Sequence, residues 1–116
     1  MNIFSIFTCQ AHKDRLKALE ETWIPKDMPD ESKMYYVYGN AQEAHEDGRN
    51  LFLPCHESYE YLLDKTYHTL KYISNMDFDY FIKLDNDVYV PSFSKLIEKI
   101  EELKRKKSPY KPLPEG

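Results

Sequence analysis

Two carboxylates and an amide stand together at Asp85-Asn86-Asp87, where the apolar, aromatic run Phe78-Asp79-Tyr80-Phe81-Ile82-Lys83-Leu84 gives way to Val88-Tyr89-Val90. Residues two apart on an extended chain share one face, so at a strand end both acids can converge on one cation. Carboxylate oxygens are hard donors, suited to Mg²⁺ or Mn²⁺ that substrate phosphates hold at the same time. A solvated turn rich in Asp and Asn would account for the same triplet. The apolar residues on both sides favour the metal, because ligands gather at the carboxyl ends of strands in open α/β sheets.

Bulk composition narrows the partners. A chain of 116 residues is sized for one domain with a single core. With 41% apolar and 15% aromatic residues it should fold rather than stay disordered. The net charge of -4 gives no electrostatic reason for a nucleic-acid partner, and none is expected. Lys104-Arg105-Lys106-Lys107 reads as a solvated helix end whose cations complement the helix dipole. Cys9 and Cys55 have no zinc or redox spacing and are expected as free thiols in a reducing compartment. No run is long and apolar enough to span a bilayer, and the first strand begins almost at Met1. The expectation is a soluble, cytoplasmic protein, in the host cytoplasm if it is viral.

The elements that must position the acids follow in order. Asn2 to Thr8 reads as an inner strand of a parallel sheet, ending in the polar residues Thr8-Cys9-Gln10. A helix is predicted from Asp14, as its cap, to Trp23, with Leu16, Leu19 and Trp23 facing inward and Arg15 on the first turn. Pro25 and Pro29 place a loop over 24–32, and Lys33 to Gly39 is the second strand. Residues 40–50 read as a loop, and Leu51-Phe52-Leu53 as a brief third strand. From Ser58 to Ser74 the 3.6-residue period predicts a crossover helix with Tyr59, Leu62, Leu63, Thr66, Leu70 and Ile73 on the sheet. Lys65 then falls on the flank of that helix. A fourth strand leads to Asp85, and Pro91-Ser92 opens a last helix with Phe93, Leu96, Ile97, Ile100 and Leu103 inward. The chain divides into an α/β domain over 1–107 and an extended tail over 108–116. The order β-α-β-β-α-β-α implies an α/β sandwich with a mainly parallel sheet.

If the ligand is a nucleotide, a metal at Asp85 and Asp87 must carry most of the pyrophosphate charge, since neither a P-loop nor a Gly-x-Gly-x-x-Gly turn is present. Arg15 with Glu21-Thr22-Trp23, then Glu57-Ser58-Tyr59-x-x-Leu62-x-x-Lys65-Thr66, then Phe81 to Val90 together resemble the nucleotide-binding half of GT-A glycosyltransferases of the β-1,3-galactosyltransferase and Fringe type. The resemblance implies a Rossmann-like α/β/α sandwich, a UDP-sugar donor, Mn²⁺ or Mg²⁺, and hexosyl transfer with inversion to a hydroxyl of a glycan or protein. It makes Asp87 the chief metal ligand and lets Asp85 bind metal or ribose. Thr8, Gln10, Arg15 and Asn86 would lie by the nucleotide, with Lys65 approaching from the helix flank. Asn86 stands where the family commonly has a third acid, and supplies an amide without charge. Family members carry a further acceptor-binding half with the catalytic base, so the resemblance makes this chain a donor half, either truncated from a longer protein or a natural half-enzyme, with 108–116 as a tail or the start of the missing half, and names no base. His12, His45, His56 and His68 belong to no matched motif and read as surface or capping residues.

Two other classes stay open at this level. A nucleotidyl- or phosphoryl-transfer protein could use the Asp pair, although that chemistry usually needs a third carboxylate on a neighbouring strand. A non-catalytic α/β module could use the ten tyrosines as a partner surface.

Overall fold

The computed structural model describes residues 1–106, and the extended tail expected over 108–116 lies outside them. Among the described residues five strands and three helices follow in the order β1 (Asn2–Phe7), α1 (Lys13–Thr22), β2 (Ser32–Tyr38), β3 (His45–Asp47), β4 (Asn50–Phe52), α2 (Leu62–Ile73), β5 (Tyr80–Asp85) and α3 (Phe93–Arg105). Single 3-10 turns at Gln10–His12 and Tyr59–Tyr61 lead into α1 and α2. The sheet order is β3-β4-β2-β1-β5, with every pairing parallel except β3 on β4.

All six residues of β1 are buried, as an inner strand flanked on both sides requires. Its alternation sorts two cores. Ile3 and Phe7 join Tyr35, Val37, Leu51 and, from α2, Ile73. Phe4 and Ile6 join Met34, Tyr36 and, from α1 and α3, Leu16, Leu19, Phe93 and Ile100. Helices therefore cover both faces of a mostly parallel sheet, the α/β arrangement that the element order implied. α3 starts where Ser92 Oγ accepts the Lys95 N–H, 3.3 Å away, directly after Pro91. None of the helices over the described residues is long and apolar enough to cross a membrane.

Three expectations need correction. α1 begins at Lys13 without a side-chain cap, so Asp14 lies in its first turn and acts on the helix dipole instead of capping. Leu103 is 43% exposed and falls outside the buried stripe of α3. Residues 40–50 are not a plain loop, because β3 and β4 form a hairpin pairing Asp47 with Asn50. Gly48 turns it at φ 60°, a left-handed angle glycine adopts without steric cost.

β3 has no apolar residue, so something other than burial of side-chain area holds it. Glu46 Oε1 accepts from the hydroxyls of Tyr35 on β2, at 2.8 Å, and Tyr72 on α2, at 2.7 Å. Lys33 Nζ approaches the other oxygen at 3.6 Å. Burial alone would raise the Glu46 pKa, but the hydrogen bonds from Tyr72 and Tyr35 and the charge of Lys33 outweigh it, holding the carboxyl below its ordinary 4.5. Burial and the Glu46 bond push Tyr72 up to about 12. A depressed carboxyl stabilises the fold above its unfolded pKa, and that contribution disappears as pH falls through the lower folded value. Glu46→Gln should therefore lose stability near neutral pH and show a shallower acid-side decline than the unmodified protein. Denaturant midpoints measured at about pH 7 and about pH 3 check this.

Candidate functional site

Successive strands step outward from β1 to β2 and β4, and α2 then carries the chain back to β5 on the far side of β1. Reversals of this kind leave a crevice at the carboxyl ends of the strands. Phe7 pairs in register with Asp85, which sets Thr8-Cys9 beside Asn86-Asp87. A cleft of about 490 Å³ opens there, walled by Thr8, Cys9, His12, Arg15, Glu57, Tyr59, Leu62, Lys65, Asp85, Asn86 and Asp87 among others.

Asp85 is the last residue of β5, on the same face as Phe81 and Lys83. Lys83 Nζ lies 3.4 Å from its carboxylate, but Asp85 is 64% exposed and such a surface pair stabilises little. The Val88 N–H donates to the Asp85 carbonyl over 3.2 Å and closes a turn. The strand thus ends at Asp85, and the apolar residues Val88-Tyr89-Val90 beyond it are not strand. It is this turn, not strand pleating, that carries Asp87 to the cleft wall shared with Asp85. One residue beyond, the Val88 carbonyl accepts the indole N–H of Trp23 at 2.9 Å.

Asn86 is held inside the wall. Its Nδ2 lies 3.0 Å from His12 Nδ1 and 3.5 Å from Thr8 Oγ1, while its Oδ1 accepts from the Arg15 guanidinium at 3.5 Å. With the amide donating, the His12 nitrogen accepts. Arg15, exposed on the first turn of α1, keeps further donors for an anion in the cleft.

Lys65 differs most from its expected place. It is 4% exposed at the centre of the buried face of α2, one turn before Thr69 and two before Ile73. Tyr59, Leu63 and Leu70, which the apolar count put on that face, are solvent-exposed. The Lys65 ammonium donates to the Thr8 carbonyl at 2.6 Å and ion-pairs with Glu57. The other Glu57 oxygen accepts the Gly39 N–H at 2.5 Å. A cation ranked by side-chain type looks like a surface residue, yet its aliphatic stem suits an interior when a buried acid takes the charge. With the Thr8 carbonyl and Glu57 both engaging its ammonium, Lys65 serves as a strut between α2 and the exits of β1 and β2, and it also lines the cleft.

The remaining expected residues separate. Thr8 is buried and contributes to the wall. Gln10 is exposed in the 3-10 turn and does not line the cleft. His45 stacks on Phe52, His56 packs at a tilt against Tyr61, and His68 lies 3.7 Å from Asp64, all outside the cleft. His12, read from sequence as a surface or capping residue, and Glu57, which stands in the resembling stretch without a role of its own, both line it. Cys9 and Cys55 are free thiols, and burial pushes the Cys55 thiol up.

No group of three or more His, Cys, Asp or Glu side chains converges on a cation position among the described residues. Two carboxylates on one cleft wall suit Mg²⁺ or Mn²⁺ that keeps its waters and shares substrate phosphates, and do not suit an all-protein cage. The donor set therefore fits a metal arriving with a phosphorylated ligand. No protein-family model, curated protein or solved structure matches the chain.

The Lys65–Glu57 strut makes a stability prediction. Glu57→Gln should cost about 3 kcal/mol, because it strands the buried Lys65 ammonium, and Lys65→Met should cost less, because Glu57 is only half-buried at the cleft. The double variant should lose clearly less than the sum of the two, as read by denaturant unfolding of all four proteins.

Proposed function

We propose that this chain is the donor-binding domain of a metal-dependent glycosyltransferase with a GT-A-like, Rossmann-like sheet, using a UDP-sugar and passing the sugar to a hydroxyl of a glycan or protein. One observation carries the reading: Asp85, Asp87 and Arg15 share a single cleft at the carboxyl ends of two adjacent parallel strands, where the strand order reverses. At about 490 Å³ the cleft is in the size range of small-molecule sites. The likeness of the Arg15, Glu57–Thr66 and Phe81–Val90 stretches to the Fringe-type enzymes supports the same assignment.

Asp85 and Asp87 would hold Mn²⁺ or Mg²⁺. A divalent ion placed with a nucleoside diphosphate supplies charge stabilisation as that diphosphate leaves. Arg15 adds a guanidinium suited to phosphate oxygens. Asn86, fixed by His12 and Thr8, keeps the wall between the two acids and the exit of β1. Lys65, which lines the cleft, holds the exits of β1 and β2 through Glu57 and the Thr8 carbonyl.

The test is thermal unfolding with UDP, UDP-glucose, UDP-galactose, ATP or CTP, each with and without Mn²⁺. Mn²⁺ and UDP compounds together should raise the midpoint by about 5–10 °C at saturating ligand, by mass action on the folded state. Asp87→Ala should abolish that rise with little effect on the midpoint without ligand. Stabilisation by ATP or CTP instead would assign the cleft to phosphoryl or nucleotidyl transfer, and no stabilisation by any nucleotide would leave the glycosyltransferase reading without support.

A further inference from the structure

We propose that Trp23 is the positioning residue of the Asp85-Asn86-Asp87 turn, its indole N–H fixing the carbonyl next to Asp87 so that the two acids keep one arrangement in the cleft. The inference rests on the metal reading of that cleft.

Trp23 follows the last residue of α1 and is itself held firmly. Its backbone N–H donates to the Leu19 carbonyl at 2.9 Å, and its ring is 7% exposed. That ring stacks on Phe93, centroids 6.2 Å apart at 22°, and Phe93 packs against Phe4 at 5.0 Å. The indole is therefore clamped by the core before any ligand arrives. Its one polar atom leaves that core to reach Val88 at 2.9 Å.

The turn needs such a tie. Asp85 and Asp87 are both exposed, and two neighbouring carboxylates repel one another until a cation joins them. The Asp85–Val88 backbone bond closes the turn on itself, and the contacts of Asn86 hold its first half. The Trp23 bond secures the half beyond Asp87 to α1, an element outside the turn. Packing alone does not require this atom, since phenylalanine would fill an apolar site without a donor to satisfy. Ligands held in place before binding lose less freedom when the cation arrives.

Two variants separate a positioning role from a purely structural one. Trp23→Phe keeps an aromatic ring and removes the donor, whereas Phe93→Leu loosens the same core and leaves the donor in place. Mn²⁺ affinity in the presence of UDP, measured by calorimetry well below each midpoint, should fall by about five- to tenfold in Trp23→Phe, the worth of one hydrogen bond. In Phe93→Leu it should stay within about twofold. Equal affinity in Trp23→Phe and the unmodified protein, or an equal loss in Phe93→Leu, overturns the inference and leaves the glycosyltransferase reading standing. An unmodified protein that binds no Mn²⁺ with UDP overturns both. Should Trp23→Phe not fold, the unmodified protein still decides the matter. Trp23 is its single tryptophan, so the indole N–H gives one NMR signal. That signal should shift and exchange more slowly on adding Mg²⁺ and UDP, and an unmoved signal in a protein that binds them overturns the inference.

Discussion

A lysine ammonium held in the interior by one glutamate and one carbonyl organises the carboxyl edge of this sheet. Lys65, Glu57, the Thr8 carbonyl and the Gly39 N–H form a linked set of polar contacts at the back of the cleft. The set joins α2 to the chain leaving β1 and the chain leaving β2, two exits that are not covalent neighbours. A buried ion pair of this kind gives little net stability over an apolar replacement of the same shape. What it adds is a single permitted geometry, because any displacement strands a charge away from water. The floor of the cleft inherits that geometry.

The opposite face works by different chemistry. Against α2 the cleft is braced by charge, whereas against α1 and α3 it is braced by aromatic packing around Phe4, Trp23 and Phe93. Thr8 and Asn86 lie between these supports and connect them, with Thr8 giving its carbonyl to Lys65 and its hydroxyl to the neighbourhood of Asn86. The acids themselves stay exposed and lightly paired. Rigid walls around weakly engaged carboxylates suit a site that must accept a cation and later release it.

How much of this could be read from the residues depends on what each element buries. β1, β2 and β5 announced themselves through apolar runs, and the end of β5 at Asp85 through the charge that interrupts one. β3 gave no such signal, since His45-Glu46-Asp47 is wholly polar and is held by two tyrosine hydroxyls from distant elements. Gly48, at the first position of the two-residue Gly48-Arg49 loop, marks the turn and was the available clue. Lys65 misled because helical periodicity ranks residues by type, and a lysine whose charge is met inside counts against its own burial. The Trp23–Val88 and His12–Asn86 contacts span 65 and 74 positions of sequence, so no local pattern encodes them.

Gly39 carries a consequence for tolerance to change. A Cβ there would meet the Cys55 backbone carbonyl at 2.8 Å and approach the Cys55 sulfur at 3.3 Å and the Glu57 carboxyl carbon at 3.4 Å. That carbonyl cannot swing aside as a side chain would, because the Asn40 N–H holds it at 2.7 Å. A single methyl here would act as a wedge between the exit of β2 and Cys55, and the Gly39 N–H that anchors Glu57 would move with it.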